Sequence, residues 1–266
     1  MISIIGAGNI GLSIANGLAD SINFSAEQII LTNKNKSLLE GLDTRGFILE
    51  ENNCEAVKDS DIVIISVEPR HMDDVLDEIG TVLISGKHIL ISVIAGAKIE
   101  QIGIKVNEGV TIIRAMPNTA MAVRESMTCI ASKNATPDAM EIAKQIFDAV
   151  GTTLIIKEDM MSAATALASC GIAFFLRAIR AASQGGVEIG FHADQALAIA
   201  SQIAKGAATL LLTNKRHPEQ EIDRVTTPMG CTIAGLNRME HEGFSSAMIK
   251  GITVSANKAA ELHIKK

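Results

Sequence analysis

Ile2-Ser3-Ile4-Ile5-Gly6-Ala7-Gly8-Asn9-Ile10-Gly11-Leu12 is the stretch on which the fold turns. Its apolar opening has the length of a buried strand. A G-x-G-x-x-G run follows at once and leads into Leu12, Ile14, Ala15, Leu18 and Ala19, spaced as one face of a helix. In a strand-turn-helix unit the first glycine permits the tight turn, the second lets backbone approach a pyrophosphate, and the third lets helix and strand pack closely. The start of the helix then offers free N–H groups and a partial positive charge to an anion. Gly6, Gly8, Asn9, Ile10 and Gly11 therefore read as the pyrophosphate cradle of a dinucleotide-binding domain.

Outward from this unit, short runs rich in Ile and Val alternate with polar, helix-like stretches. The pattern predicts strands at residues 2–5, 28–32, 62–67, 88–93, 110–114, 126–131 and 152–156, forming a mostly parallel sheet. The runs at 62–65 and 89–91 are apolar throughout, as expected of central strands covered on both faces. Beyond Lys157 the texture changes to Ala- and Leu-rich stretches with apolar spacing near 3.6, predicting helices at 160–184, 193–214, 232–242 and 244–262, with Gly185-Gly186 and His217-Pro218 as breaks. The expected architecture is an α/β Rossmann domain over residues 1–157 followed by an all-α domain over 158–266. A helical unit this apolar is expected to pack on a second copy, giving a homodimer or a larger assembly of dimers through the C-terminal helices.

Composition narrows the function. Of 266 residues, 47% are hydrophobic and 20% charged, which excludes a disordered chain. The net charge of −6, with aromatics at 3% and neither Trp nor Tyr, argues against a nucleic-acid partner. Cys54, Cys129, Cys170 and Cys231 are widely spaced, and the histidines lack metal-ligand spacing, so neither disulfides nor a metal is expected and a reducing cytoplasm is the simplest compartment. The chain opens on a strand and meets its first basic residue at Lys34, unlike an export signal. Residues 160–176 are rich in Ala, Ser, Thr, Cys and Gly and short for a bilayer, so they are expected to form a buried helix, with no membrane partner.

Two further stretches carry chemistry. The second strand ends Leu31-Thr32-Asn33-Lys34, with no carboxylate to bond a ribose 2′-hydroxyl and a cation nearby; NADPH is favoured there over NADH. Thr226-Thr227-Pro228 reads as a helix start, with Thr as the cap and Pro at the first helical position. Unpaired N–H groups around Gly230, Cys231 and Thr232, with the hydroxyls of Thr227 and Thr232, suit a substrate carboxylate, although the same residues also describe a capped helix with no ligand. His217 is expected as a cap or surface residue, Cys231 as a small residue in a tight loop, Lys215 and Arg216 as solvated charges, and Arg124-Glu125 as a structural pair.

Several segments, in order along almost the whole chain, resemble one enzyme family. They are Asn53-Cys54-Glu55-Ala56-Val57, Ser60-Asp61 leading into Ser66-Val67-Glu68-Pro69, Arg114-Ala115-Met116-Pro117-Asn118-Thr119, and residues 225–234. All are similar to pyrroline-5-carboxylate reductases. The resemblance implies a Rossmann domain followed by a dimerising helical domain, and reduction of a cyclic imine acid to proline with NAD(P)H, the last step of proline biosynthesis. It implies that Thr227, Gly230, Cys231 and Thr232 hold the substrate carboxylate. It also implies that the nicotinamide lies near Ser66, Val67, Ala95, Gly96, Met116, Pro117 and Asn118, and the adenosine near Asn53. A protonated iminium is already a good electrophile, so positioning is expected to dominate and no general acid stands out; Thr232 is the one candidate catalytic group. The sequence departs from the family where Glu68 replaces Lys, Ala120 replaces Pro, Ser169-Cys170-Gly171-Ile172 replaces Ser-Gly-Ser-Gly-Pro, and Met229 replaces Gly. These departures leave two alternatives open: a different cyclic imine, or a non-catalytic NADPH-binding regulatory homologue.

Overall fold

Alternation along the apolar strands sends side chains to two separate cores. In the computed structural model, which describes residues 1–262, Ile4, Ile64, Ile91 and Ile113 belong to one buried cluster, and Ile5, Val63, Ile65, Leu90 and Ile112 to another. The elements that create this division are, in chain order, β1 (Ile2–Ile5), α1 (Asn9–Ala19), β2 (Ile29–Thr32), β3 (Ile48–Leu49), α2 (Asn53–Lys58), β4 (Ile62–Ile65), α3 (Met72–Ile79), β5 (Ile89–Ser92), α4 (Ile99–Gly103), β6 (Thr111–Met116), β7 (Ser126–Ser132), α5 (Pro137–Asp148) and β8 (Gly151–Ile155). Helices α1 and α5 supply Ile14, Leu18, Ile146 and Phe147 to the first core; α2, α3 and α4 supply Val57, Leu76, Ile79 and Ile102 to the second.

The strands form one sheet in the order β3-β2-β1-β4-β5-β6-β7-β8, parallel except where β7 runs against β6. The expected mostly parallel sheet is present, with β4 and β5 internal to it. Pattern reading does not detect β3, because it is a two-residue edge strand whose side chains are both exposed.

The remaining elements are α6 (Met161–Ala164), a π-helical turn (Thr165–Ser169), α7 (Gly171–Glu188), α8 (Ala193–Asn214), α9 (Pro218–Arg224), α10 (Cys231–His241) and α11 (Phe244–Glu261). By backbone contacts, Met1–Ile172 groups with the chain from Val254, and Ala173–Thr253 forms a second unit. Two expectations about the helices need correction. The helix expected at 160–184 is broken by the π turn. Gly185-Gly186 does not end it, because α7 continues to Glu188 and closes at the left-handed Gly190 (φ +109). Gly186 serves packing instead, since a Cβ there would lie 3.0 Å from that of Ala196 in α8. The break expected at His217-Pro218 is present between α8 and α9, and His217 is the cap expected of it; pattern reading does not detect the helix that follows, in which Pro218 takes the first position and His217 Nδ1 accepts the Glu219 N–H at 3.3 Å.

The buried helix expected at 160–176 is also overturned. Met161, Ala164, Thr165, Ala166 and Gly171 are buried, but Leu167, Phe175 and Leu176 are exposed, because the chain itself supplies no cover beyond the first turns. Two helical stretches, Glu158–Glu188 and Ala193–Asn214, are long and apolar enough to cross a membrane, and within this single chain only 17% and 11% of their apolar windows are buried.

Candidate active site

β1 has β2 on one side and β4 on the other, so successive crossovers leave it in opposite directions and open a crevice at its carboxyl end. The glycine turn occupies that crevice. Gly6 is left-handed (φ +85), and its N–H and that of Ala7 both donate to the Thr32 carbonyl, at 3.0 and 2.8 Å. Gly8 is the N-cap of α1; no side chain caps this helix and no acid lies in its first turn, so the amides of Asn9, Ile10 and Gly11 remain open to an anion. A Cβ on Gly6 would meet Val67 Cγ1 at 2.4 Å, and one on Gly11 would meet the Gly6 carbonyl at 3.0 Å, whereas one on Gly8 would meet nothing within 4 Å.

A cavity of about 310 Å³ opens from this turn, and Gly6, Gly8, Thr32, Asn33, Lys34, Asn53, Ser66 and Val67 line it. Ser66 Oγ is buried with no hydrogen-bond partner among the described residues. A buried hydroxyl without a partner, beside open helix amides, fits a pyrophosphate. Ile5, Asn35, Leu38, Glu68, His71 and Val75 complete the lining; apart from Glu68, noted as a departure from the family, sequence reading assigns them no part in the site, and only their closeness to the ends of β1, β2 and β4 marks them. Past the end of β2, Thr32 Oγ1 donates to Asn53 Oδ1 at 2.6 Å and Asn53 Nδ2 donates to Glu78 at 2.8 Å. The acid in the lining, Glu68, pairs with Arg70 at 2.8 Å.

Ala95, Gly96, Met116, Pro117 and Asn118 lie outside this lining: Met116 ends β6, Pro117 and Asn118 follow it, and Ala95 and Gly96 lie just beyond the carboxyl end of β5. Asn118 is buried and its side chain is fully engaged. Nδ2 donates to the Ala168 carbonyl in the π turn and Oδ1 accepts the Ala120 N–H, both at 2.9 Å. Its amide shapes the turn rather than projecting from it.

The second predicted site is arranged differently from the expectation. α10 starts at Cys231 with Gly230 as N-cap, so Pro228 is not its first helical residue. Thr227-Pro228-Met229-Gly230 forms a turn closed by the Gly230 N–H donating to the Thr227 carbonyl at 3.0 Å, with Pro second and a left-handed residue, Met229 (φ +59), third. The Gly230 amide is thereby used, and the open amides are those of Cys231, Thr232 and Ile233. A Cβ at 230 would lie 2.4 Å from Thr227 Oγ1 and 3.0 Å from the Thr227 carbonyl oxygen, so a larger residue there requires Thr227 to shift. Met229 projects its whole side chain into solvent, so nothing offsets its backbone strain. Relieving a left-handed L-residue returns roughly 1–2 kcal/mol, and added glycine flexibility takes back roughly 0.5–1. Met229→Gly is therefore expected to raise stability by about 0.5–1 kcal/mol in denaturant unfolding.

Comparison with known proteins agrees with this layout. Residues 158–262 match the family model described as pyrroline-5-carboxylate reductase dimerisation, and residues 1–96 match NADP oxidoreductase coenzyme F420-dependent. Pyrroline-5-carboxylate reductase 2 of Dictyostelium discoideum is 46% identical across 98% of this chain and 92% of its own length. The chain belongs to the pyrroline-5-carboxylate reductase family. Pyrroline-5-carboxylate reductase 1 of the same organism is 51% identical across 100% of this chain, which spans 50% of that relative's length. The structure of a pyrroline-5-carboxylate reductase from Coxiella burnetii superposes with a TM-score of 0.90 at 26% identity, covering 100% of this chain and 98% of the other. Met229 adopts the left-handed conformation that glycine would take without strain.

Proposed function

We propose that the chain reduces pyrroline-5-carboxylate to L-proline by hydride transfer from NADPH, with NADH as a poorer donor, completing proline biosynthesis in the cytoplasm. The observation that carries this reading is the 46% identity to a reductase along 98% of the chain, and the glycine cleft supports it, because no carboxylate ends β2 and the acid in the lining, Glu68, is paired with Arg70. In this reading residues 1–157 are the dinucleotide-binding domain and 158–266 the substrate-binding and dimerisation domain of a homodimer or an assembly of dimers, acting without a membrane or nucleic-acid partner. Gly6, Gly8, Asn9, Ile10 and Gly11 hold the pyrophosphate. Thr32, Asn33 and Lys34 receive the 2′-phosphate and Asn53 the adenosine. Ser66, Val67, Ala95, Gly96, Met116, Pro117 and Asn118 border the nicotinamide.

The dihydronicotinamide supplies the hydride; the chain's own residues bind and orient. The amides of Cys231 and Thr232, with the hydroxyls of Thr227 and Thr232, hold the carboxylate, and Gly230 shapes the loop that presents them. The test follows NADPH consumption with pyrroline-5-carboxylate, with the same ring lacking its carboxylate, and with the six-membered homologue. The first is expected to be preferred, and NADPH to be used more efficiently than NADH. Thr232→Ala is expected to lower kcat/KM roughly 10–160-fold, about 1.5–3 kcal/mol of transition-state binding, since a hydrogen bond to a charged group is lost. Preference for another ring would favour a different imine, to which Met229 points, and tight NADPH binding without turnover would make the chain a regulatory homologue.

A further inference from the structure

We propose that Glu158 is a positioning residue for the nicotinamide half of the cofactor, its single carboxylate tying together the backbone segments that border that half of the site. The inference rests on the cofactor reading above and concerns a residue that does not line the cleft. Glu158 begins the turn before α6, and only 11% of its side chain is exposed. Oε1 accepts the Ile99 N–H at 2.7 Å, at the start of α4, directly after the loop that carries Ala95 and Gly96. The same oxygen faces Arg114 at 3.5 Å, and Oε2 pairs with Lys133 at 2.9 Å, just past the end of β7. Arg114 lies two residues before Met116 and opposite Ser92, the last residue of β5.

The apolar side of the same junction repeats the connection. Met116, Cys129, Ala131, Met161 and Ala164 form one buried cluster, and Ala95 packs against it. The chain that leaves Glu158 thus touches both the 95–96 loop and the 116–118 turn. Asn118 adds a third link through its bond to the Ala168 carbonyl. In a sheet of this order the nicotinamide half of a dinucleotide lies at the carboxyl ends of the strands beyond β4, where both segments stand. A carboxylate is the group required here. It accepts from a helix N-terminus and faces a guanidinium that is 5% exposed and costly to bury unpaired. Burial opposes the charge on Glu158, but the Ile99 N–H, Lys133 and Arg114 outweigh it and hold the carboxyl below its ordinary value. The clamp is therefore ionised at neutral pH.

The decisive measurement compares two ligands on wild type and Glu158→Gln: NADPH, and adenosine 2′,5′-bisphosphate, which carries the adenosine and the 2′-phosphate but no nicotinamide. Glu158→Gln is expected to raise the NADPH dissociation constant at least about tenfold while leaving that of the truncated nucleotide within about twofold. Because the single variant strands the buried Arg114, Arg114→Gln/Glu158→Gln, which removes both charges, is measured beside it and is expected to show the same split. Equal weakening of both ligands, or unchanged NADPH binding, would overturn the proposal. Wild type that binds NADPH but reduces no imine would sink the functional reading and leave this one standing, whereas wild type that binds no NADPH would sink both.

Discussion

Gly8→Ala is expected to keep the fold and lose the cofactor. Gly8 is an extended N-cap (φ −92), so an L-residue meets no backbone penalty there, and a Cβ has no protein atom within 4 Å. The stability cost is that of a poorer cap, about 1 kcal/mol at most. The space the methyl enters is the cleft itself, against the open amides of α1. A pyrophosphate seated there needs backbone, not side chain, at its closest approach. The NADPH dissociation constant is expected to rise about 100-fold or more, some 2.7 kcal/mol, in a titration, with little change in thermal unfolding. Gly6→Ala supplies the contrast. Its φ of +85 and the 2.4 Å approach to Val67 put the damage inside the protein, so stability and binding fall together. Undiminished NADPH affinity in Gly8→Ala would mean that the phosphates lie elsewhere.

That contrast shows which parts of the molecule were legible in the sequence. The β1-turn-α1 unit could be read because apolar period, glycine spacing and helix polarity all point the same way, and each is a local property. The internal strands were readable for the same reason: a run such as Ile62-Val63-Ile64-Ile65 has no polar side to place toward water. Local signals misled where a residue's reason lay elsewhere in the chain. Gly185-Gly186 looks like a helix stop, yet Gly186 is small because Ala196 packs against it. Thr227-Pro228 looks like a helix start, but Pro suits the second place of a tight turn equally well, and only the Gly230–Thr227 bond decides between them. Asn118 was legible as part of a turn but not as fully bonded within the protein, because its partner is fifty residues away. Glu158 was silent for the same reason: its meaning lies in Ile99, Arg114 and Lys133, none of them near it in sequence.

The largest disruption is expected from charge placed on the apolar faces of α7 and α8. Phe175 is 64% exposed and Ile203 59% exposed in the single chain, amid two long helices whose apolar windows are largely uncovered. Faces of this kind in a region matching a dimerisation model call for a second protein surface. Burying a large apolar side chain contributes roughly 2 kcal/mol, and a two-fold interface counts each residue twice. Phe175→Glu therefore removes about 4 kcal/mol, roughly 1000-fold in the dimer dissociation constant, before the cost of a buried carboxylate is added. Analytical ultracentrifugation is expected to show dissociated chains for Phe175→Glu and Ile203→Glu, with turnover lost at assay concentrations. Ile22→Glu, at a residue 99% exposed in the loop after α1, is expected to change neither. If the charged variants stay assembled while wild type partitions into phospholipid vesicles, the same apolar windows would be serving a bilayer. Their length permits that outcome, but Arg177 and Arg180, which would enter the hydrocarbon with α7, oppose it.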